Sequence, residues 1–350
     1  MKRVLIADDS ALVRKQLSEI ISELGFEIET ARNGAEAVEK ASAQQYDVIT
    51  MDINMPVMDG LTAVQKIMEN RPTPILMVSS LTTDGANITM DALDLGAVDY
   101  IAKPGTMNVG KDENRLDILG KVKSLSRIPP RRLQSVAKRE PRKERPVREA
   151  RPAAMTSGTE LKKVILIGSS TGGPGLIEQI CASLPPQFPH TVCIVQHMPE
   201  QFTAAFAGRL DRVSALPVVE TKSGMDLLPG MIYIARGGVH MHFAKKISGK
   251  IVIREEKEKS GRFFQPSVDE MMLSALKVFR PDQMIGVLLT GIGDDGAEGM
   301  VAIKGKGGFT FGESEETATV YGMPKEAYER GGVTQQLPFP KIVKALAAMH

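Results

Sequence analysis

The segment KVILIGSSTGG at residues 163–173 constrains this chain more than any other. Val164, Ile165, Leu166 and Ile167 form a β-prone apolar run without polar alternation, the pattern of a strand covered on both faces in a parallel α/β sheet. Gly168, Gly172 and Gly173 then permit a tight turn and close approach of a ligand to the backbone, and Pro174 suits the first turn of a helix. A serine held here stands at the carboxyl end of a strand beside helix N–H groups, where a nucleophile finds its own oxyanion donors. A phosphate-binding glycine loop or a plain strand-to-helix turn fits these residues equally well. Other parts of the chain must decide.

At 350 residues there is room for two ordinary domains, each with its own core. The net charge of +2 is small and its basic excess sits in one central segment, which gives little support to nucleic-acid binding. The two cysteines, Cys181 and Cys193, lie in apolar contexts without CxxC spacing and read as buried free thiols. The first residues, MKRVLIADDS, hold too short an apolar run for a signal peptide, and no run reaches membrane-spanning length. These features imply a soluble chain in a reducing, cytoplasmic setting, with no membrane insertion.

Residues 1–125 alternate apolar strands, at 4–7, 26–30, 47–51, 75–79 and 98–102, with segments of helical period. That grammar predicts a five-stranded, doubly wound parallel sheet. In such a sheet the strand ends share one edge, so Asp8, Asp9, Asp52, Ser79 and Lys103 gather there although they are far apart in sequence. Three carboxylates together repel one another unless a cation is present, and hard oxygen ligands suit Mg²⁺. The motifs ADDS, MDINMPVMDG, MVSS and IAKP resemble those of two-component receiver domains over essentially the whole segment. The resemblance implies that Asp52 accepts a phosphoryl group from a partner histidine kinase, and that Asp9, Asp52 and the Asn54 carbonyl bind Mg²⁺, with Asp8 acting mainly through water. It further implies that Lys103 contacts the phosphoryl oxygens, that Ser79 and Tyr100 form the switch pair, and that a cis bond precedes Pro104.

From residue 121 to 151 the composition turns basic and proline-containing, without apolar periodicity after Ile128. A basic run of this kind serves nucleic acid or anionic lipid in some proteins. Four prolines, no aromatics and interspersed glutamates favour an extended, solvated tether here.

The second half repeats the α/β pattern, with strands at 164–167, 191–196, 231–235 and 284–290 and a hairpin of shorter strands, 239–243 and 251–254, expected at one edge. His197, in IVQHMP, is the one histidine at a strand's carboxyl end; His240 and His242 alternate along what reads as an exposed edge strand rather than a metal site. The third end, LLTGIGDDGAEGM, offers Asp294 and Asp295, of which either caps a helix or orients an imidazole. Ser170, His197 and Asp295 together supply nucleophile, general base and orienting acid on one sheet edge. There is no GxSxG elbow, and chain order does not define a triad.

The motifs GSSTGG, QHMP, QPSVDEMM, LTGIGDDGAEGM and YGMPKEA look like the catalytic domain of the chemotaxis protein-glutamate methylesterases (CheB), and a receiver joined to that domain is this family's architecture. Ser169 stands where alanine is common and Ile292 where methionine is common; neither change removes a catalytic group. The resemblance implies two doubly wound parallel-sheet α/β domains, a flavodoxin-like receiver at 1–125 and a Rossmann-like methylesterase domain at 159–350, joined by a flexible basic linker at 126–158. It places the nucleophile on Ser170, the base on His197, the acid on Asp295 and the oxyanion donors near Thr171, Gly172 and Gly173, with no metal in the catalytic domain. Substrates would be glutamate γ-methyl esters, and in some members glutamines, on chemoreceptor cytoplasmic helices. The unphosphorylated receiver would cover the site until Asp52 is phosphorylated. A regulator whose second domain only docks to receptors or a kinase is the alternative, and a DNA-binding regulator a weaker third, because the basic residues lie in a tether and not in a recognition helix.

Overall fold

A computed structural model describes residues 1–80, 82–104, 111–129, 132–133, 161–257 and 264–349. Apart from residues 126–129 and 132–133, the expected linker lies outside them. The chain divides into two compact units, Met1–Arg142 and Lys143–His350, the division falling inside that linker.

In the first unit the apolar runs become strands because they are buried on both faces: β1 (Arg3–Ala7), β3 (Val48–Asp52) and β4 (Ile75–Ser79), with β2 (Glu27–Ala31) and β5 (Asp99–Ala102) outside them. All pair in parallel in the order β2-β1-β3-β4-β5. Between them run α1 (Ala11–Ser22), α2 (Gly34–Ala43), α3 (Gly60–Asn70) and α4 (Thr83–Asp94), with α5 (Lys111–Leu125) last. Each of the first four starts where a short polar side chain accepts a first-turn N–H: Ser10, Asn33, Asp59 and Thr82.

The second unit is built on a seven-stranded parallel sheet. Its chain order is β6 (Val164–Ser169), α6 (Pro174–Ser183), β7 (Thr191–Gln196), α7 (Glu200–Val213), β8 (Val218–Glu220), β9 (Ile232–Ile234), β10 (His240–Lys245) and β11 (Ile251–Glu256). There follow α8 (Val268–Ala275), β12 (Met284–Leu288), α9 (Ala297–Gly305), β13 (Phe309–Glu313), α10 (Met323–Glu329), β14 (Gln335–Leu337) and α11 (Phe339–Ala347). The strand order is β14-β13-β12-β6-β7-β9-β8, so the chain builds outward from β6 to one side and then returns to build outward on the other. The β6/β12 boundary is therefore the topological switch point, where the loops leaving adjacent strands part and open a crevice.

Two expectations need correction. The hairpin is not an edge of the main sheet: β10 and β11 pair antiparallel in a sheet of their own. Its apolar side, Met241, Phe243 and Ile253, joins a buried cluster with Met271 and Met272 of α8 and Phe279 beyond it, and on its other face His240 accepts the Ser267 N–H and is fully buried, not exposed. The second correction is that β8, β13 and β14 extend the sheet beyond the four strands expected.

Candidate active site and acidic pocket

In the first unit, β1 and β3 are neighbours and both end in aspartate, which brings Asp8 and Asp52 together with their carboxylates buried. Asp8 Oδ1 accepts the Ser10 N–H at 2.8 Å and Asp52 Oδ1 the Ile53 N–H at 2.8 Å. Their other oxygens face Lys103, whose ammonium lies 2.8 Å from Asp52 Oδ2 and 3.4 Å from Asp8 Oδ2. Burial pushes both carboxyls above the ordinary aspartate value; Ser10 and Lys103 offset this only in part at Asp8, and Lys103 only in part at Asp52. Burial would lower Lys103, but its hydrogen bond to Asp52 carries it upward instead. Asp8, Asp9 and Asp52 can each present an oxygen within 4.8 Å of the others. Clustered, partly desolvated oxygen ligands held by one cation fit a hard divalent ion, which would relieve the charge that Lys103 leaves uncompensated.

The Ser79 hydroxyl, at the end of β4, accepts from Thr89 Oγ1 at 3.0 Å and donates to the Ser80 carbonyl at 3.1 Å. Tyr100 lies inside the unit, with the Lys121 ammonium 5.2 Å from its ring centroid. Asn54 is exposed in the loop after Asp52. Among the described residues only the Gln265–Pro266 bond is cis, so the bond before Pro104 is trans, the form an X–Pro amide takes unless its surroundings demand otherwise.

In the second unit, residues leaving β6, β7 and β12 meet. Gln196, at the end of β7, clasps the turn after β6: its Nε2 donates to the Ser170 carbonyl at 3.0 Å, and its Oε1 accepts from the Ser169 hydroxyl at 2.6 Å. Ser169 is thus tied to the neighbouring strand, while Ser170 is the serine of the turn itself. The turn needs glycine at position 172, where φ is +79° and a Cβ would lie 2.7 Å from the Thr319 side chain. The Ser170 N–H donates to the Thr290 carbonyl, and the Gly173 N–H donates back to the Ser170 carbonyl at 2.8 Å. Gly173, one of the three residues expected near the oxyanion, thus has its N–H engaged in this arrangement; the Gly172 N–H makes no hydrogen bond among the described residues.

His197 Nε2 lies 2.8 Å from Asp295 Oδ2. A carboxylate there fixes the proton on Nε2 and leaves Nδ1 as the basic nitrogen. Nδ1 is buried and makes no hydrogen bond among the described residues. The Phe264 ring stacks on the imidazole, with centroids 4.0 Å apart and planes within 12°. Asp294, by contrast, is exposed and pairs with Arg330. Asp295 also accepts from Ser267 Oγ at 2.7 Å, Val268 N at 2.7 Å and Asp269 N at 3.1 Å, so it sits on the N-terminus of α8. Burial opposes its ionisation, but the hydrogen bonds from His197, Ser267 and Val268 outweigh burial and hold its carboxyl down at about 2.

Sequence reasoning missed the residues behind this constellation. Ser267 had a signal, the S-x-x-E spacing of a capping box with Glu270. Glu313 had none: fully buried at the end of β13, it accepts the Thr290 N–H at 2.8 Å and the Thr317 hydroxyl at 2.9 Å. Thr290 in turn donates its hydroxyl to the Thr171 carbonyl at 2.8 Å, bracing the serine turn. The other histidines are spoken for differently. His190 is buried beside Phe188, and burial, reinforced by Lys163 and Lys162, pushes it down to about 4. His242 lies between Glu256 and Glu270, 3.2 and 3.1 Å away.

A family model described as CheB methylesterase matches residues 165–346, and one described as response regulator receiver domain matches residues 4–112. A protein of Carboxydothermus hydrogenoformans named protein-glutamate methylesterase/protein-glutamine glutaminase 2 is 50% identical over 356 residues, spanning 99% of this chain and 98% of its own length. One of Rhodospirillum rubrum, named protein-glutamate methylesterase/protein-glutamine glutaminase 3, is 42% identical over 99% of this chain and 96% of its own. Among solved structures, the Thermotoga maritima CheB methylesterase catalytic domain is 38% identical, covers 53% of this chain and 97% of that one, and superposes with a TM-score of 0.51.

Proposed function

This chain belongs to the CheB methylesterase family and carries a response regulator receiver domain ahead of the hydrolase, and from that premise we propose that it demethylates chemoreceptors under phosphorylation control. Residues 1–125 are the receiver, 126–158 the tether and 159–350 the methylesterase. The substrates are glutamate γ-methyl esters on the cytoplasmic helices of chemoreceptors. The double name of its relatives supports glutamine deamidation as a second reaction. We place the enzyme in the cytoplasm with those receptor helices; among the described residues no helix is long and apolar enough to cross a membrane.

The observation that carries this reading is the His197–Asp295 pair at the switch point beside Ser170, with the second imidazole nitrogen buried and without a hydrogen bond among the described residues. His197 Nδ1 takes the Ser170 hydroxyl proton as Oγ attacks the ester carbonyl, and Asp295 holds the imidazole in the required tautomer and stabilises the imidazolium. The loop at Thr171–Gly172, with the Gly172 N–H first among its donors, stabilises the oxyanion. His197 returns the proton to the departing methoxide, releasing methanol, or to the departing amine, releasing ammonia. A water molecule, deprotonated by the same nitrogen, then frees the glutamate and restores Ser170.

In the receiver, Asp52 is the acceptor of a phosphoryl group from a histidine kinase. Asp8, Asp9, Asp52 and the Asn54 carbonyl would hold Mg²⁺, which when bound neutralises phosphoryl oxygens. Lys103, already paired with Asp52, supplies a second positive charge to the same oxygens. Ser79 and Tyr100 carry the change to the rest of the domain as the population shifts.

The test is methanol release from methylated receptor membranes by the full chain, with and without Mg²⁺ and a small phosphodonor. Release should require Ser170, rise with phosphodonor, and lose that rise in Asp52→Ala. Hydrolysis that persists in Ser170→Ala would remove that serine from the chemistry, and no release from folded protein and competent membranes would point instead to a regulator that only docks.

A further inference from the structure

The acid that orients His197 is itself held in place. Ser267 stands at the N-cap of α8, buried, in extended conformation, and its oxygen accepts the Glu270 N–H at 3.3 Å in the ordinary manner of a cap. A hydroxyl used this way still has its proton to give, and Ser267 gives it to Asp295 Oδ1 at 2.7 Å. The Asp269 N–H reaches the same oxygen at 3.1 Å, while Oδ2 receives Val268 N and His197 Nε2. The two carboxylate oxygens thus have separate duties, one anchored to the cap and one shared with the imidazole.

The cap has its own support. The Ser267 N–H donates to His240 Nδ1 at 3.2 Å, across from β10, and both residues are buried. A connected series therefore runs from the hairpin through Ser267 and Asp295 to His197, between elements far apart in sequence.

We propose that Ser267 is a positioning residue for the hydrolysis: its hydroxyl sets the rotation of the Asp295 carboxylate, so that Oδ2 meets His197 Nε2, and His240 keeps Ser267 at that distance. This rests on the Ser170–His197–Asp295 mechanism proposed above. Ser267 touches no reacting atom; it works through Asp295.

A cap that matters only to folding makes a different prediction from one that positions the acid. Glycine serves as an N-cap nearly as well as serine, so Ser267→Gly removes the hydroxyl while sparing the helix. Without that donor the carboxylate is free to rotate away from the imidazole, which among the described residues meets Asp295 Oδ2 and the apolar Phe264 ring, and the pH profile of the hydrolysis changes with that contact. A lost hydrogen bond to a charged group translates into a fall in kcat of about 10- to 100-fold, with KM little changed.

The experiment uses the full chain as wild type, Ser267→Gly, Ser267→Ala and Ser267→Thr. Methanol release is measured against pH with phosphodonor and Mg²⁺ present, and the five histidines are followed by imidazole ¹⁵N–¹H NMR, with His197→Asn for assignment. Positioning predicts that glycine and alanine both lower kcat and shift the acid limb and the His197 midpoint away from wild type, and that threonine, which keeps the hydroxyl, restores all three. Ser267→Gly within twofold of wild type, with His197 titrating unchanged, overturns the proposal and leaves Ser267 a helix cap. Absence of release from the wild type would count against the methylesterase reading, and the NMR midpoints would still decide the role of Ser267.

Discussion

Replacing Asp295 with asparagine tests whether α8 holds a true carboxylate. The wild-type side chain accepts four donors, from His197, Ser267, Val268 and Asp269. Asparagine brings one oxygen and an NH₂ that must face two of them. The Ser267 hydroxyl can turn to accept, whereas the Asp269 N–H cannot, so the favoured rotamer leaves that N–H unsatisfied at a cost of roughly 1–3 kcal/mol at any pH. The second loss titrates. The Asp295 carboxyl is held at about 2 against an ordinary 3.8, and at 1.36 kcal/mol per unit this amounts to about 2 kcal/mol. Because the folded value is the lower one, that stability is fully present above 3.8 and disappears as pH falls through about 2. Urea unfolding of the second unit, followed by circular dichroism in wild type and Asp295→Asn from pH 7 to pH 2, reads both losses. The gap between the two proteins should narrow by about 2 kcal/mol at the acid end. A gap that stays constant would refute the claim that these donors hold Asp295 ionised.

Val57 is exposed with φ at +68°, a conformation that costs a β-branched residue about 1–2 kcal/mol. Val57→Asn or Val57→Gly should therefore raise the melting temperature of the receiver by a few degrees, and an unchanged or lower value would show that the strain is not stored there. Gly172→Ala should lower turnover at least 10-fold, since its Cβ would stand 2.7 Å from Thr319 at a positive φ; undiminished methanol release would remove the turn geometry from the mechanism. Mg²⁺ should stabilise the receiver by about 2.7 kcal/mol at a hundredfold excess over its dissociation constant, and Asp8→Asn or Asp52→Asn should abolish that gain. Equal stabilisation of wild type and variants would place the ion elsewhere.

The sequence is most readable where burial is symmetrical. β3, β6, β7 and β12 are apolar runs inside their sheets, and their ends mark the chemistry. β8 and β14 are three residues each, too short for any period. β13 reads FTFGE, with a glycine and a glutamate that argue against a strand unless a buried carboxylate has donors waiting, as Glu313 has in Thr290 and Thr317. His240 and His242 alternate as an edge strand should, but the hairpin folds onto α8 and buries His240; that contact lies between segments whose proximity no local pattern records. Ser169 against Ser170 and Asp294 against Asp295 are equivalent in composition and separate only in space. Gln196 accepts from the Ser169 hydroxyl and Arg330 pairs with Asp294, which favours Ser170 and Asp295 in the proposed mechanism.

The strand order β12-β6-β7 bears on which imidazole nitrogen would act as base in the proposed mechanism. Ser169 pairs with Gln196 in register, so Ser170 and His197 are the first residues past the ends of two adjacent strands, which run about 4.8 Å apart. Asp295 belongs to the loop after β12, one strand farther off. In the proposed triad the histidine follows the strand beside that of its serine and lies two strands from its acid, so extending the outer nitrogen, Nε2, to Asp295 leaves the inner one, close to its own main chain, for Ser170. In a sheet where β7 and β12 were neighbours, the same three side chains would have to exchange those nitrogens, and the transferable proton with them.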